Sequence, residues 1–324
     1  MLNLHQLRLL RELAHRGTIA AVADALSYSP SAVSQQLSLL ERTAGVPLLE
    51  RSGRRVALTP AGANLVRHAE VILERLETAR TELAEGREVA GPLRLGIYPS
   101  AARALASGLL VSLRRSYPRL EPWVWEVDPA DAPDALRAGR LDLALTHYYV
   151  SDSDSAEGNG EGEGEARGDG EAGDRPFPVE PGIQSRPVFT ERMHLATPAD
   201  SAPEPDDDPV RRWRDAPWIL PTPGTLCHTS VTRLCEASGF HVDSWHRVDD
   251  YDTALGLVAA GAGVAVVPDL SARNPPPGTV LTPLSLRRRS EVAFRGGSAA
   301  HPTVGAFIAA LRESLPTELA TGPI

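Results

Sequence analysis

Apolar residues recur near the start of the chain at the spacing of short helices. Leu4, Leu7, Leu10 and Ala14 mark the first, and Gly17 follows as a stop. Ile19, Val22, Ala23 and Leu26 form the stripe of a second helix capped by Thr18. The stretch Ser29 to Glu41 predicts a third. Val33, Leu37 and Leu40 share one face of it, while Ser31, Ser34, Gln35 and Ser38 line the other. Ser29 suits the N-cap, and Pro30 sits at the first helical position, where a missing N–H costs nothing. Three short helices with a tight turn between the last two make a helix-turn-helix. A face of hydroxyls and amides without net charge suits a DNA groove, where such groups pair with base edges. Pro47 to Leu58 then reads as two short strands around Ser52-Gly53-Arg54, a wing with Arg51, Arg54 and Arg55 at its tip. Arginines placed there meet backbone phosphates or the minor groove.

Thr59-Pro60 opens a long helix running to about Glu88, roughly 40 Å at ~1.5 Å per residue. Val66, Ala69, Leu73, Leu76 and Leu83 follow a heptad and predict a dimerisation seam. Gly91-Pro92 breaks the helix and the pattern changes to strands alternating with helices. Leu93 to Ile97, Trp123 to Val127 and Leu141 to Thr146 read as strands, and Ile183 to Thr197 as a strand pair. Trp218 to Leu220 adds a strand, His228 to Ser238 a helix closed by Gly239, and Leu257 to Pro268 a helix that ends at Gly and returns as a strand. The alternation predicts doubly wound α/β units. Such sheets bind ligands at the carboxyl ends of their strands, where helix N-termini favour anions. Ser100 and Thr146 stand at such ends.

Composition sharpens this division. A net charge of −9 has the wrong sign for a DNA-binding protein, but the acidity is local. Ser151 to Asp174 holds nine acidic residues against Arg167 alone, while Met1 to Pro60 is net +3 in a chain with no lysine. The acidic tract, without aromatic or branched aliphatic residues, predicts a disordered insertion. No apolar run approaches the ~20 residues that span a bilayer, and no secretory signal opens the chain, so a cytoplasmic protein is expected. Cys227 and Cys235 are too few for a disulfide scaffold.

The order L-x-x-L-x-x-L, G-T-I-A-A-V-A, S-P-S-A-V-S-Q-Q-L-S-L-L-E, G-V-P-L-L-E-R and V-A-L-T-P-A-G resembles, over about sixty residues, the DNA-binding domain of LysR-type transcriptional regulators. The resemblance implies an N-terminal winged helix-turn-helix, a long linker helix and two periplasmic-binding-protein-like α/β effector-binding subdomains. It further implies a dimer, or dimer of dimers, on double-stranded promoter DNA. The residues divide as 1–58 DNA-binding domain, 59–90 linker and dimerisation helix, 91–150 with 266–324 subdomain I, 151–177 acidic insertion, and 178–265 subdomain II. The DNA-binding set is Thr18, Ser29, Pro30, Ser31, Ser34, Gln35, Ser38, Arg51, Arg54 and Arg55. By the same resemblance a small-molecule effector, anionic by the helix-terminus argument, lies between the subdomains, touched by Ser100, Thr146, Thr222 and Thr225. One departure stands out. The family often has Arg where this chain has Gln35, an amide that reads adenine bidentately but attracts no phosphate from afar.

No catalytic constellation is present: no G-x-S-x-G, H-E-x-x-H, P-loop or strand-linked G-x-G-x-x-G. His241 and His246 lie near Cys235 at a spacing that fits no zinc pattern, so neither metal nor cofactor is expected. Two other readings remain. One makes Cys227 and Cys235 a thiol-based redox input, although eight residues along one helix would hold them ~12 Å apart. The other is a cytosolic small-molecule-binding α/β protein with an appended interaction domain.

Overall fold

Each helix of the amino-terminal domain starts and stops where a local group satisfies its loose backbone ends. The structure, a computed structural model, describes residues 1–52, 55–151, 181–201, 207–243 and 246–320. Helix α1 (Leu4–Arg16) begins on Asn3, whose side chain accepts from the His5 N–H, and ends at Gly17 with φ 72°. Helix α2 (Ile19–Leu26) begins on Thr18, accepting from Ala21. Helix α3 (Pro30–Ala44) begins on Ser29, accepting from Ala32, with Pro30 first in line. Strands β1 (Leu49–Ser52) and β2 (Arg55–Leu58) pair antiparallel as the wing; Arg54 and residues 152–180, which hold nearly all of the acidic insertion 151–177, lie outside the described residues.

Helix α4 (Pro60–Ala84) is capped by Thr59, whose hydroxyl accepts from the Gly62 N–H. Its first turns lie against α1 and complete the domain core. At Gly62 an added Cβ would stand 2.1 Å from the Leu48 carbonyl oxygen, a contact only glycine allows. Val66 and Ala69, read as dimer seam, belong instead to this core with Leu7, Leu10, Val33, Leu37 and Leu40. The reason is physical: a core stripe and a coiled-coil seam have nearly the same apolar period, and α1 covers these two positions first. Leu73 is half-buried. Leu76 and Leu83 remain 38% and 69% exposed, beside Val71 and Ile72.

The remainder forms a two-lobed α/β unit. Lobe I holds β3 (Gly91–Ile97), α5 (Pro99–Ser116), β4 (Leu120–Glu126), α6 (Ala132–Arg137) and β5 (Leu143–Ser151). After β6 (Ile183–Pro198), lobe II holds β7 (Ile219–Leu220), α7 (Leu226–Ala237), β8 (His246–Arg247), α8 (Tyr251–Ala259) and β9 (Ala265–Pro268). The chain returns through α9 (Asp269–Ala272), β10 (Thr279–Arg295), α10 (Pro302–Ser314) and α11 (Thr317–Ala320). Six strands form one mixed sheet in the order β4-β3-β5-β10-β6-β9, parallel only at β3–β4 and β3–β5.

The expected strand pair over 183–197 is a single strand of 16 residues, and β10, with 17, was not anticipated. Both cross from one lobe to the other. Val188 and Phe189 pack into lobe I, Met193 and Leu195 into lobe II. On β10, Leu284 and Leu286 serve lobe II, Val292 and Phe294 lobe I. The cores therefore change hands inside the two strands, and whatever lies between has polar company.

Candidate functional site

The outer face of α3 is built as its residue pattern predicts. Val33, Leu37 and Leu40 are buried, which turns Ser31, Ser34, Gln35 and Ser38 to solvent together, all exposed. Ser29 and Thr18 are exposed as well, but both spend their side chains as caps, and Ser29 and Ser31 hydroxyls also meet at 3.0 Å. Gln36 is drawn inward by the Gln6 amide at 3.1 Å, leaving Gln35 as the longest uncharged side chain on the face. Arg51 and Arg55 belong to the paired wing strands, opposite Val56 and Ser52.

At the crossing of the lobes the register of β10 sets a second site. From Leu284 on, the even-numbered residues of this strand face inward, and the run Leu284, Leu286, Arg288, Ser290, Val292, Phe294 is buried throughout. Arg288 lies opposite Glu191 on β6 and Tyr149 on β5, and Ser290 opposite His147. The Arg288 guanidinium donates from Nε and Nη2 to Glu191 Oε1 at 2.8 and 2.6 Å. The Leu270 N–H donates to Glu191 Oε2 at 2.9 Å. Arg288 also stands 4.9 Å over the Tyr98 ring and donates to Ser100 Oγ at 3.1 Å. Both members of the pair are 1% exposed.

Aromatic and thiol groups continue from this pair toward lobe II. Tyr98 shares a hydrogen bond with Ser290 at 2.7 Å, and its ring meets His147 edge-on at 4.7 Å; His147 meets Tyr149 at 5.3 Å. The Tyr149 and Tyr251 hydroxyls donate to Cys227 Sγ at 3.1 and 3.4 Å. Burial, then the Arg288 charge, hold His147 well below the usual imidazole range, and its Nδ1 has no partner among the described residues. Burial pushes the Tyr98, Tyr149 and Tyr251 phenols up. Burial likewise pushes the Glu191 carboxyl up against the pull of Arg288. Burial opposes the Arg288 charge, but Glu191 and the tyrosines raise its pKa well above normal. The cluster is therefore one compensated ion pair among neutral hydrogen-bonding groups.

Of the four residues expected to touch an effector, Ser100, at the start of α5, is the one hydrogen-bonded to this cluster among the described residues. The Thr146 hydroxyl donates to the Glu291 carbonyl at 3.4 Å. Thr222 gives its N–H and hydroxyl to Asp249, each at 2.7 Å. Thr225 caps α7, accepting from the His228 N–H, and donates to the Thr222 carbonyl at 2.8 Å. Thr225 is thus a turn hydroxyl occupied within its own turn, whereas Thr222 ties that turn to Asp249 ahead of α8. At the outer edge Arg103 of α5 bridges to Asp250 and Asp252 at the start of α8, joining the lobes directly.

Cys235 is fully buried, its thiol pushed up to about 12 by desolvation and then by Glu236, whereas Cys227 is half-buried at the start of α7. Among the described residues no group of His, Cys, Asp and Glu could hold a metal ion, and no helix is long and apolar enough to cross a membrane.

Comparisons with known proteins agree with this architecture. Residues 4–63 match the model of the bacterial regulatory helix-turn-helix protein, lysR family. Residues 86–157 and 172–316 match the LysR substrate binding domain. An uncharacterised HTH-type transcriptional regulator of Bacillus subtilis is 28% identical over 315 residues, covering 94% of this chain and 92% of its own. A probable hydrogen peroxide-inducible genes activator of Streptomyces viridosporus is 29% identical over 332 residues, covering 97% and 94%. A variant of full-length OxyR from Pseudomonas aeruginosa shares the fold, with a TM-score of 0.58 at 23% identity over 96% of this chain and 98% of its own. With both halves matched, and with a winged helix-turn-helix joined by a long helix to a two-lobed α/β unit, the chain belongs to the LysR family of transcriptional regulators.

Proposed function

We propose that α3 enters the major groove of promoter DNA with Ser31, Ser34, Gln35 and Ser38 toward the base edges, while Arg51, Arg54 and Arg55 of the wing hold the phosphates. Thr18, Ser29 and Pro30 set the start of α2 and α3 rather than reading bases. The single observation carrying this is the common exposure of those four side chains on a helix whose other face is core. Two chains pair through the exposed stripe of α4, now centred on Ile72, Leu76 and Leu83, and two such pairs form a tetramer. The protein works in the cytoplasm. Subdomain I takes residues 91–150 and 266–324, and subdomain II 178–265.

In the same reading a small-molecule effector binds at the crossing of the lobes, beside Ser100 and Arg288, with Thr146, Thr222 and Thr225 around it. A ligand that prefers one lobe arrangement shifts the population and re-angles the paired α4 helices. The test is a genome-wide map of bound DNA followed by a reporter on the strongest site. DNA bound only at low salt and without sequence preference would sink the reading. In that reporter Ser100→Trp should abolish the response to whichever metabolite of the neighbouring genes' chemistry drives it, and an unchanged response would move the site elsewhere.

One observation favours a second input. Cys227 receives two tyrosine O–H groups beside the lobe-crossing cluster, and several relatives are named for induction by peroxide. Cys235, buried with a thiol near 12, is not a partner for it. Mass spectrometry after mild peroxide should find any modification on Cys227 alone; both thiols free would remove this reading.

A further inference from the structure

One half-open cleft joins all three parts of the chain away from the lobe crossing. A cavity of about 420 Å³ lies where α1, α4 and lobe I meet, a volume ordinary for a small-molecule site. Six arginines line it: Arg8 and Arg11 from α1, Arg80 from α4, Arg94 from β3, Arg137 from α6 and Arg295 from β10. Glu70, Glu74 and Glu77, all from α4, are the lining acids, and Leu4, Leu73 and Leu76 supply an apolar border.

Two of the acids are shared. Glu77 serves both Arg80 at 3.1 Å and Arg295 at 3.4 Å, and Asp142 behind the wall serves Arg94 at 2.8 Å and Arg295 at 3.5 Å. Arg8 meets no carboxylate within ion-pair distance among the described residues and donates to the Arg137 carbonyl instead, at 3.2 Å. Burial, then the Arg11 charge, lower its pKa, the mark of a cation short of counter-charge. Arg11 is 8% exposed and pairs with Glu12 at 2.9 Å, but its Nε–H has no hydrogen-bond partner among the described residues. Buried guanidinium N–H groups left without acceptors favour an incoming carboxylate or phosphate, which they grip bidentately. The glycines at 139, 182 and 296 keep the wall open; at Gly139 an added Cβ would stand 2.8 Å from Arg8 Nη2.

We propose that this junction cavity binds a small organic anion with at least two negative charges, whose carbon skeleton lies along the leucine border. Because its walls come from the DNA-binding head, the linker helix and lobe I, such an anion holds the three in one arrangement. It is an input separate from the lobe crossing.

The test uses the full-length chain, with calorimetric titration and thermal unfolding at fixed ionic strength. The probes are citrate, inorganic pyrophosphate and chloride. Saturable binding of one per chain with a raised Tm supports the site, citrate alone identifying a polycarboxylate and pyrophosphate alone a phosphate ligand. Arg8→Gln should weaken it by about tenfold or more, as loss of a charged hydrogen bond does. Arg80→Ala, at a side chain 73% exposed and so safe for folding, should do the same. Arg312→Ala, which removes an equal charge from the surface of α10, should leave it unchanged. The proposal is overturned if chloride reproduces the effect, if neither anion saturates below about 10 mM, or if all three variants bind like the parent chain.

Discussion

Removing either end of the Arg288–Glu191 pair should be costly, but the two ends should behave differently with pH. In Arg288→Met the Glu191 carboxylate loses its contacts at 2.8 and 2.6 Å and, among the described residues, keeps the Leu270 N–H at 2.9 Å. It can escape by taking a proton. From its ordinary 4.5 to pH 7 that step costs about 3.4 kcal/mol, at about 1.36 kcal/mol per unit, which sets a ceiling on the loss. The sign follows from linkage: with the folded pKa raised above 4.5, stability is intact below 4.5 and falls as pH rises toward the folded value. Arg288→Met should therefore approach parental stability near pH 4.5 and lose about 1.4 kcal/mol per unit above it. In Glu191→Met the arginine has no such escape, since guanidinium does not deprotonate. Its loss should reach about 3–5 kcal/mol and stay flat with pH. The double variant Arg288→Met with Glu191→Leu should lie near the parent, because two well-filled apolar groups replace two desolvated charges. Urea unfolding followed by far-UV circular dichroism from pH 5 to 8 measures all three. A pH-independent loss in Arg288→Met, or a double variant as weak as the sum of the singles, would refute the reasoning.

Four further outcomes are expected. Gln35→Ala should relax sequence preference at one base pair by about 1–3 kcal/mol in a binding assay across operator variants; uniform weakening on all DNA would make it a backbone contact. Gly62→Ala should destabilise the amino-terminal domain by about 1–3 kcal/mol in chemical unfolding, since its methyl would overlap the Leu48 carbonyl. Asp142, although half-desolvated, is held below its ordinary 3.8 by hydrogen bonds from the Arg94 side chain and N–H. Its contribution is present above 3.8 and lost as pH falls through the depressed value, so Asp142→Asn should be less stable at neutral pH and show a flatter acid limb. Leu76→Asp with Leu83→Asp should halve the assembly on a sizing column while leaving the monomer's melting unchanged, because both side chains are exposed within one subunit.

The amino-terminal domain was legible almost residue by residue, because caps, stops and apolar stripes are local. Thr18, Ser29 and Thr59 cap the helices they precede, and Gly17 closes α1. Spacing does not separate core from dimer seam on α4: Val66 and Ala69 obey the same period whether a partner or α1 covers them. In the lobes β10 escaped notice because three consecutive arginines, Arg287 to Arg289, interrupt the alternation of Leu284, Leu286, Val292 and Phe294. Yet Arg288 and Ser290 keep that alternation as buried polar members. A strand that tolerates them needs partners from elsewhere in the fold, and Glu191, Tyr98 and His147 come from three separate strands or strand ends. Such a meeting cannot be read from spacing. Thr225 shows the opposite case, since a short hydroxyl beside its own backbone finds a local partner first.

The two long strands also bear on how the molecule comes apart. β10 is hydrogen-bonded on both sides for much of its length, keeps one register with β5 from Leu286 to Phe294, and supplies core residues to each lobe. A slip of one residue would expose the inner residues of both lobes at once. Neither lobe can fray while the other stays whole, so the effector half of the chain should exchange its core amides at one common rate, as a single cooperative unit, despite its two-lobed outline.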